Sequence, residues 1–122
     1  VAGVDCDKDT HVTQPTLFYV DNEANCVSGD YFCVGSGSAL AYAVLDSAKV
    51  EQDSTSCQEC PKGALFAPSL DAAVDLALRA IRQATYRDAF SGGYINVLHV
   101  NATGIHHLVR MDSREMHLKP TV

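Results

Sequence analysis

The 122 residues carry nine lysines and arginines against fifteen aspartates and glutamates, a formal net charge of -6, and 47 % are hydrophobic. That length accommodates one domain with a real core, and a 20 % charged fraction argues against global disorder. No Lys/Arg cluster is present and the longest apolar run covers only residues 39–45, which argues against a nucleic-acid surface and against a membrane span of ~20 apolar residues.

In chain order, residues 1–5 read as a short strand and residues 6–15 as a polar loop. Leu17, Phe18, Tyr19 and Val20 are aromatic or aliphatic and read as a strand. Residues 21–25 have turn composition, and residues 31–34 read as a further strand that buries Cys33. A Gly35-Ser36-Gly37-Ser38 loop follows, with Ser38 placed to cap a helix over residues 39–46 that is apolar on nearly every side. Residues 47–68 lack periodicity and contain many serines, so they read as a surface-loop insertion.

The strongest periodic segment begins at Ser69, an N-cap, with Asp71 in the first turn. Leu70, Val74, Ala77, Leu78, Ile81 and Ala84 recur at helical spacing. Ala73, Ala77, Ala80 and Ala84 form a ridge small enough for a neighbour to approach closely. The helix is expected to stop near Asp88, ahead of Ser91-Gly92-Gly93. Residues 94–100 read as a strand buried on both faces. A turn at residues 101–104 leads to a strand on which Ile105, His107, Val109 and Met111 share one face, and residues 113–119 close with a short helix. Strands, then helices, then strands again give an α+β class rather than regular βαβ alternation.

Five cysteines in no framework spacing suit a reducing, intracellular setting rather than a disulfide-stapled secreted domain. Cys57-x-x-Cys60 is half a zinc site with no second pair. His106 and His107 are adjacent on a strand, so only one of them can join any common site. Asn101-Ala102-Thr103 matches the glycosylation sequon but reads first as a hairpin turn. Gly35-Ser36-Gly37 lacks the third glycine of a dinucleotide loop and the Lys of a phosphate loop. Two features remain. Paired serines in a glycine turn need a reason beyond backbone freedom, and Asp88 puts a carboxylate at a helix C-terminus, where the dipole disfavours it.

Those features sit in stretches that resemble the beta subunits of the proteasome, type 5 in particular. The stretches are Leu17-Phe18-Tyr19-Val20-Asp21, Phe32-Cys33-Val34-Gly35-Ser36-Gly37-Ser38, Ala41-Tyr42-Ala43-Val44-Leu45-Asp46, and residues 80–93, which contain Tyr86-Arg87-Asp88-Ala89-Phe90-Ser91-Gly92-Gly93. The resemblance covers nearly the whole chain outside residues 47–68. It implies the four-layer αββα sandwich of N-terminal-nucleophile hydrolases, with residues 1–122 forming the C-terminal portion of one such domain. It also implies a threonine-type endopeptidase of chymotrypsin-like preference, in which Asp88, Ser91 and Ser36 form the polar network around a threonine nucleophile. No cofactor or metal is implied. The implied partners are other alpha and beta subunits, the N-terminal half of the subunit and unfolded polypeptide substrate, with no nucleic acid or membrane, in cytoplasm and nucleus.

This sequence departs from the pattern at several points. Position 1 is Val1 and the first threonine is Thr10, so the nucleophile, its lysine and its first-half aspartate have no counterpart here, and this half alone is expected to be inactive. Phe90 stands where a tyrosine is frequent and Ala43 where a glycine is usual. A non-catalytic structural subunit of the same ring and a small metal or redox domain on Cys57 and Cys60 are the rival readings.

Overall fold

The computed structural model describes residues 1–6, 13–54 and 69–118. Of the expected loop at residues 6–15, Cys6 and residues 13–15 are strand instead, and residues 7–12 lie outside the described residues, as do the Cys57–Cys60 pair, the greater part of the expected insertion, and Lys119 and Pro120. Five strands and three helices give an α+β arrangement, as expected. Strands β1 (Ala2–Cys6), β2 (Thr13–Val20) and β3 (Cys26–Ser28) form an antiparallel sheet in the order β1-β2-β3. Helices α1 (Ser38–Ser54) and α2 (Leu70–Arg87) pack on each other. Strands β4 (Tyr94–Asn101) and β5 (Gly104–Asp112) make a hairpin, followed by the short helix α3 (Ser113–Leu118).

Strand β2 begins earlier than its aromatic run implies and includes Pro15, opposite Val4 of β1. Proline is tolerated there because β3 covers only residues 18–20, leaving that stretch of β2 as an edge on its other side. The turn after β2 is built by Asp21, whose Oδ1 accepts from the N–H groups of Glu23 and Asn25, both at 2.9 Å. Ala24 takes a φ of 64° there.

That tight turn moves the return strand. It pairs at Cys26–Ser28, not at residues 31–34, which form no strand. Those residues are held through their side chains: the rings of Phe32 and Tyr19 lie 5.7 Å apart and those of Tyr31 and Tyr42 lie 5.9 Å apart.

Helix α1 begins at Ser38 itself, and the carbonyl of Gly37 accepts from the N–H groups of Leu40 (3.1 Å) and Ala41 (3.3 Å). Gly37, not Ser38, therefore supplies the first turn's acceptor. The helix runs eight residues past the expected end at Asp46, so residues 47–54 of the expected loop are helical. It is also far less buried than its composition implies: of its described side chains only Ala41 is buried, because α2 covers one face and leaves the others open.

Helix α2 opens as expected. Ser69 accepts from the Ala72 N–H at 3.2 Å, and Asp71 lies in the first turn. The Ser69→Ala variant is expected to lose about 1 kcal/mol, read as a lower midpoint in denaturant unfolding. The buried face is Leu76, Ala80 and Ala84, rotated from the expected stripe, and Leu70 and Ile81 are exposed. The alanine ridge, not the larger aliphatics, selected the face that meets α1, because small side chains let the two helix axes approach.

The hairpin departs from its expected patterning twice. Ile95 is buried, but Tyr94 and Leu98 are exposed, so β4 is covered on one face only. A bulge between Val97 and Leu98 sets Val97 opposite Val109 and Leu98 opposite His107, leaving Leu108 as the extra residue. The bulge breaks the expected common face: Met111 and Val109 share a side with His106, while His107 and Ile105 turn to the other.

Candidate active site

The C-terminus of α2 and the glycine turn before α1 meet at one place, and three side chains converge there. Asp88 is the C-cap of α2; its backbone is extended, and its N–H donates to the Ala84 carbonyl at 2.8 Å. That geometry ends the helix and turns the carboxylate toward the Gly35–Ser38 turn. The Ser36 hydroxyl donates to Asp88 Oδ2 at 2.5 Å, and the Ser91 hydroxyl donates to the same oxygen at 2.7 Å. The other oxygen, Oδ1, accepts from the Phe90 N–H at 3.2 Å. The three residues singled out in the sequence are thus brought together although Ser36 is 52 positions from Asp88.

Gly37 makes the convergence possible. A Cβ at that position would lie 2.8 Å from Ser91 Oγ, 3.0 Å from Ala84 Cβ and 3.2 Å from Asp88 Oδ2. No larger residue fits against the serine, the carboxylate and the α2 ridge together. Gly35 has a φ of 111°, so the turn around Ser36 also depends on glycine's conformational range. On the far side, the Gly93 carbonyl accepts from the Ser113 N–H at 2.8 Å, which ties the Gly-Gly turn to the start of α3. Ser113 is the one buried polar residue among those described. Sequence reasoning placed it only as the start of a helix, and gave Gly37 only a turn role.

The hydrogen bonds set the electrostatics. The Ser36 hydroxyl first, then the Ser91 hydroxyl and the Phe90 N–H, hold the Asp88 carboxyl below its ordinary pKa of 3.8, so Asp88 is an anion at neutral pH. No ion pair to Asp88 forms among the described residues. Arg87, its neighbour in sequence, instead lies over the Tyr86 ring, 5.2 Å from the centroid. The carboxylate also stands at the negative end of the α2 dipole. Each serine has given its hydrogen to Asp88, so the hydroxyl oxygens have only lone pairs left to offer. The result is a cluster of acceptors with net negative charge, a site shaped for an N–H donor and above all for a cationic one.

An apolar crevice of about 790 Å³ runs from this cluster between the helices, with Phe32, Val34, Leu45, Leu76, Phe90 and Ile95 among its walls. Phe90 is 92 % exposed and Val34 71 %, so the crevice opens broadly to solvent. His99 and His106 of the hairpin pair with each other rather than with the site. Their ring centroids lie 6.2 Å apart across the hairpin, and the His106 ring contacts the hydroxyl of Thr103. Among the described residues no group of His, Cys, Asp and Glu could hold a metal ion, and no helix is long and apolar enough to cross a membrane.

Comparison with known proteins places this sequence in a family. The sequence profile described as proteasome subunit matches residues 1–100. The chain is 43 % identical over 105 residues to proteasome subunit beta type-5-B of Arabidopsis thaliana, covering 86 % of this chain and 33 % of that protein. It is 39 % identical over 103 residues to proteasome subunit beta type-5 of Gallus gallus, covering 84 % of this chain and 34 % of the relative. With proteasome subunit beta type-5 of Dictyostelium discoideum it shares 40 % identity over 92 residues, covering 75 % and 28 %. The chain therefore spans about a third of the length of the curated relatives it matches.

Proposed function

This chain belongs to the proteasome subunit family, and we infer that it supplies the acceptor side of a threonine-protease active site in a catalytic beta subunit of type 5. The observation that carries this reading is the pair of serine hydroxyls donating to one ionised carboxylate oxygen, Asp88 Oδ2. A protease whose nucleophile is an N-terminal threonine uses that residue's own amine as the base. The amine must be held in place and must shuttle a proton. An anionic cluster whose outward groups are all acceptors suits both needs. Asp88 favours the ammonium form that arises when the amine takes the hydroxyl proton, and Ser36 and Ser91 accept its N–H bonds and hold water beside it.

The nucleophile belongs, on this reading, to the two thirds of the subunit that these residues do not span. The exposed Leu70 and Ile81 of α2 and the half-covered β4–β5 hairpin support a four-layer αββα arrangement in which further strands lie on the helix pair. Assembly with other alpha and beta subunits, a preference for cleavage after hydrophobic residues of unfolded polypeptides, and residence in cytoplasm and nucleus follow from the same reading.

The test is peptidase activity of the assembled particle containing this subunit, on a peptide with a hydrophobic residue before the cut. The Ser91→Ala variant is expected to lose about tenfold in kcat with assembly intact, the scale of one hydrogen bond to a charged group. Wild-type turnover in that variant would leave the chain as a structural member of the ring.

A further inference from the structure

We propose that Tyr31 and Asp46 form a positioning clamp that holds Ser36 against Asp88, an inference that rests on the active-site reading above. Ser36 lies between two glycines, a context that leaves its backbone freer than any other part of the site. The segment leading to it, residues 31–34, forms no strand, so ladder hydrogen bonds do not fix it; the Phe32 ring rests on Tyr19 of β2, and the Tyr31 end needs a second anchor.

What fixes it is a contact to α1. The Tyr31 hydroxyl donates to Asp46 Oδ1 at 2.5 Å, and the Tyr31 ring packs on Tyr42, one turn earlier on the same helix. Lys49, one turn later, lies 5.9 Å from the centroid of the Tyr31 ring and pairs with Asp30 at 3.8 Å. Tyr42, Asp46 and Lys49 are spaced at four and three residues, so they form one face of α1 that grips residues 30–31. The tyrosine hydroxyl is tuned as a donor, because the carboxylate beside it pushes its pKa up to about 12 and keeps it protonated.

The glycine turn is thus held at both ends by the same helix. At one end the Ser38 N–H donates to the Gly35 carbonyl at 3.1 Å where α1 begins; at the other, two turns along α1, Asp46 holds Tyr31. Ser36 is suspended between these two anchors, and its hydroxyl reaches across to the carboxylate at the end of α2. On this reading the effect of Tyr31 and Asp46 on the reaction passes through Ser36.

Four variants of the assembled particle separate this role from general loosening. Tyr31→Phe removes only the hydroxyl. Asp46→Ala removes the acceptor, while Asp46→Asn keeps an oxygen that can accept. Tyr31→Phe and Asp46→Ala are expected to lower kcat about threefold to tenfold with KM unchanged, and to speed amide hydrogen exchange in residues 30–38 by roughly tenfold, without loss of assembly. Asp46→Asn is expected to stay close to wild type in both. On a Ser36→Ala background, Tyr31→Phe should cost no further activity, because the group it positions has gone.

Additive losses in that double variant, or unchanged exchange at residues 30–38 in Tyr31→Phe, would overturn the clamp. If Ser36→Ala and Asp88→Asn both leave cleavage at wild-type rates, the active-site reading fails instead, and the exchange measurement still decides whether Tyr31 and Asp46 hold the turn.

Discussion

Asp88→Asn is expected to lower kcat of the assembled particle by about 100-fold or more on a peptide with a hydrophobic residue before the cut, the scale of a lost group in proton transfer. The substitution changes no volume, so the loss reports charge and hydrogen-bond direction. One carboxylate oxygen accepts from Ser36 and Ser91, and the other accepts from the Phe90 N–H. An asparagine can accept on one of these sides only. With its oxygen toward the serines, its NH₂ meets the Phe90 N–H donor to donor; reversed, its NH₂ donates to hydroxyls that must rotate to accept, which uses the lone pairs otherwise open to an incoming ammonium. In either rotamer the anion that would stabilise an ammonium group is gone.

The pH dependence sharpens this prediction. Asp88 has a folded pKa below its ordinary 3.8, so its contribution to stability is present above that ordinary value and is lost as pH falls through the folded value. At any pH where the particle works, Asp88 is already ionised. Asp88→Asn should therefore lower the whole kcat profile and, because it removes the anion that favours the ammonium form, move the acid limb set by the amine base to lower pH. An acid limb that stays in place, or a kcat that does not fall while the particle stays assembled, would show that Asp88 serves only to end α2.

How the site was legible in the sequence follows from which forces built each part of it. Asp88 and Ser36 stood out because each breaks a local rule, a carboxylate at the wrong helix end and a serine where a turn needs only glycine, whereas Ser91 entered the site through the family resemblance of residues 80–93. Local rules also gave α2 its start at Ser69 and its stop at Asp88, since caps are decided within a few residues. The errors lie where a neighbour decides. The expected strand at residues 31–34 has strand composition, yet the turn built by Asp21 returns the chain early, so Cys26–Ser28 takes the pairing and the aromatic residues become wall and anchor instead. The burial of α1 was overestimated because an apolar sequence records what a helix can bury, not how many neighbours it has among these residues. The bulge at Leu108 left no mark in composition, and it moved His106 to the opposite side from His107 and Ile105. Gly37 was read as a turn glycine; its second role, clearance for a carboxylate and a serine 51 and 54 residues away in the chain, exists only in three dimensions.

That second role yields the other large effect. Gly37→Ala is expected to destabilise the subunit by about 1–3 kcal/mol, the usual cost of forcing a methyl group into a filled space, and to lower kcat at least as far as Ser91→Ala does. The new Cβ would stand 3.0 Å from Ala84 Cβ, which is fixed to the α2 backbone and cannot rotate away. It would also stand 2.8 Å from Ser91 Oγ, which can rotate, but only by releasing Asp88. The subunit must either separate its two helices or break the polar cluster. Thermal unfolding and peptidase activity, measured on the same particles, distinguish these responses. Adding Ser91→Ala to Gly37→Ala removes the closest contact, so the double variant should regain part of the lost stability while its activity stays at the Ser91→Ala level. Gly35→Ala makes the contrast, since nothing lies within 4 Å of a Cβ there and its cost comes from a φ of 111° alone. In Gly35→Ala, Ser91→Ala should restore no stability. A Gly37→Ala particle with wild-type turnover would show that the hydroxyl–carboxylate cluster can be displaced without consequence, and would remove the observation on which the active-site assignment stands.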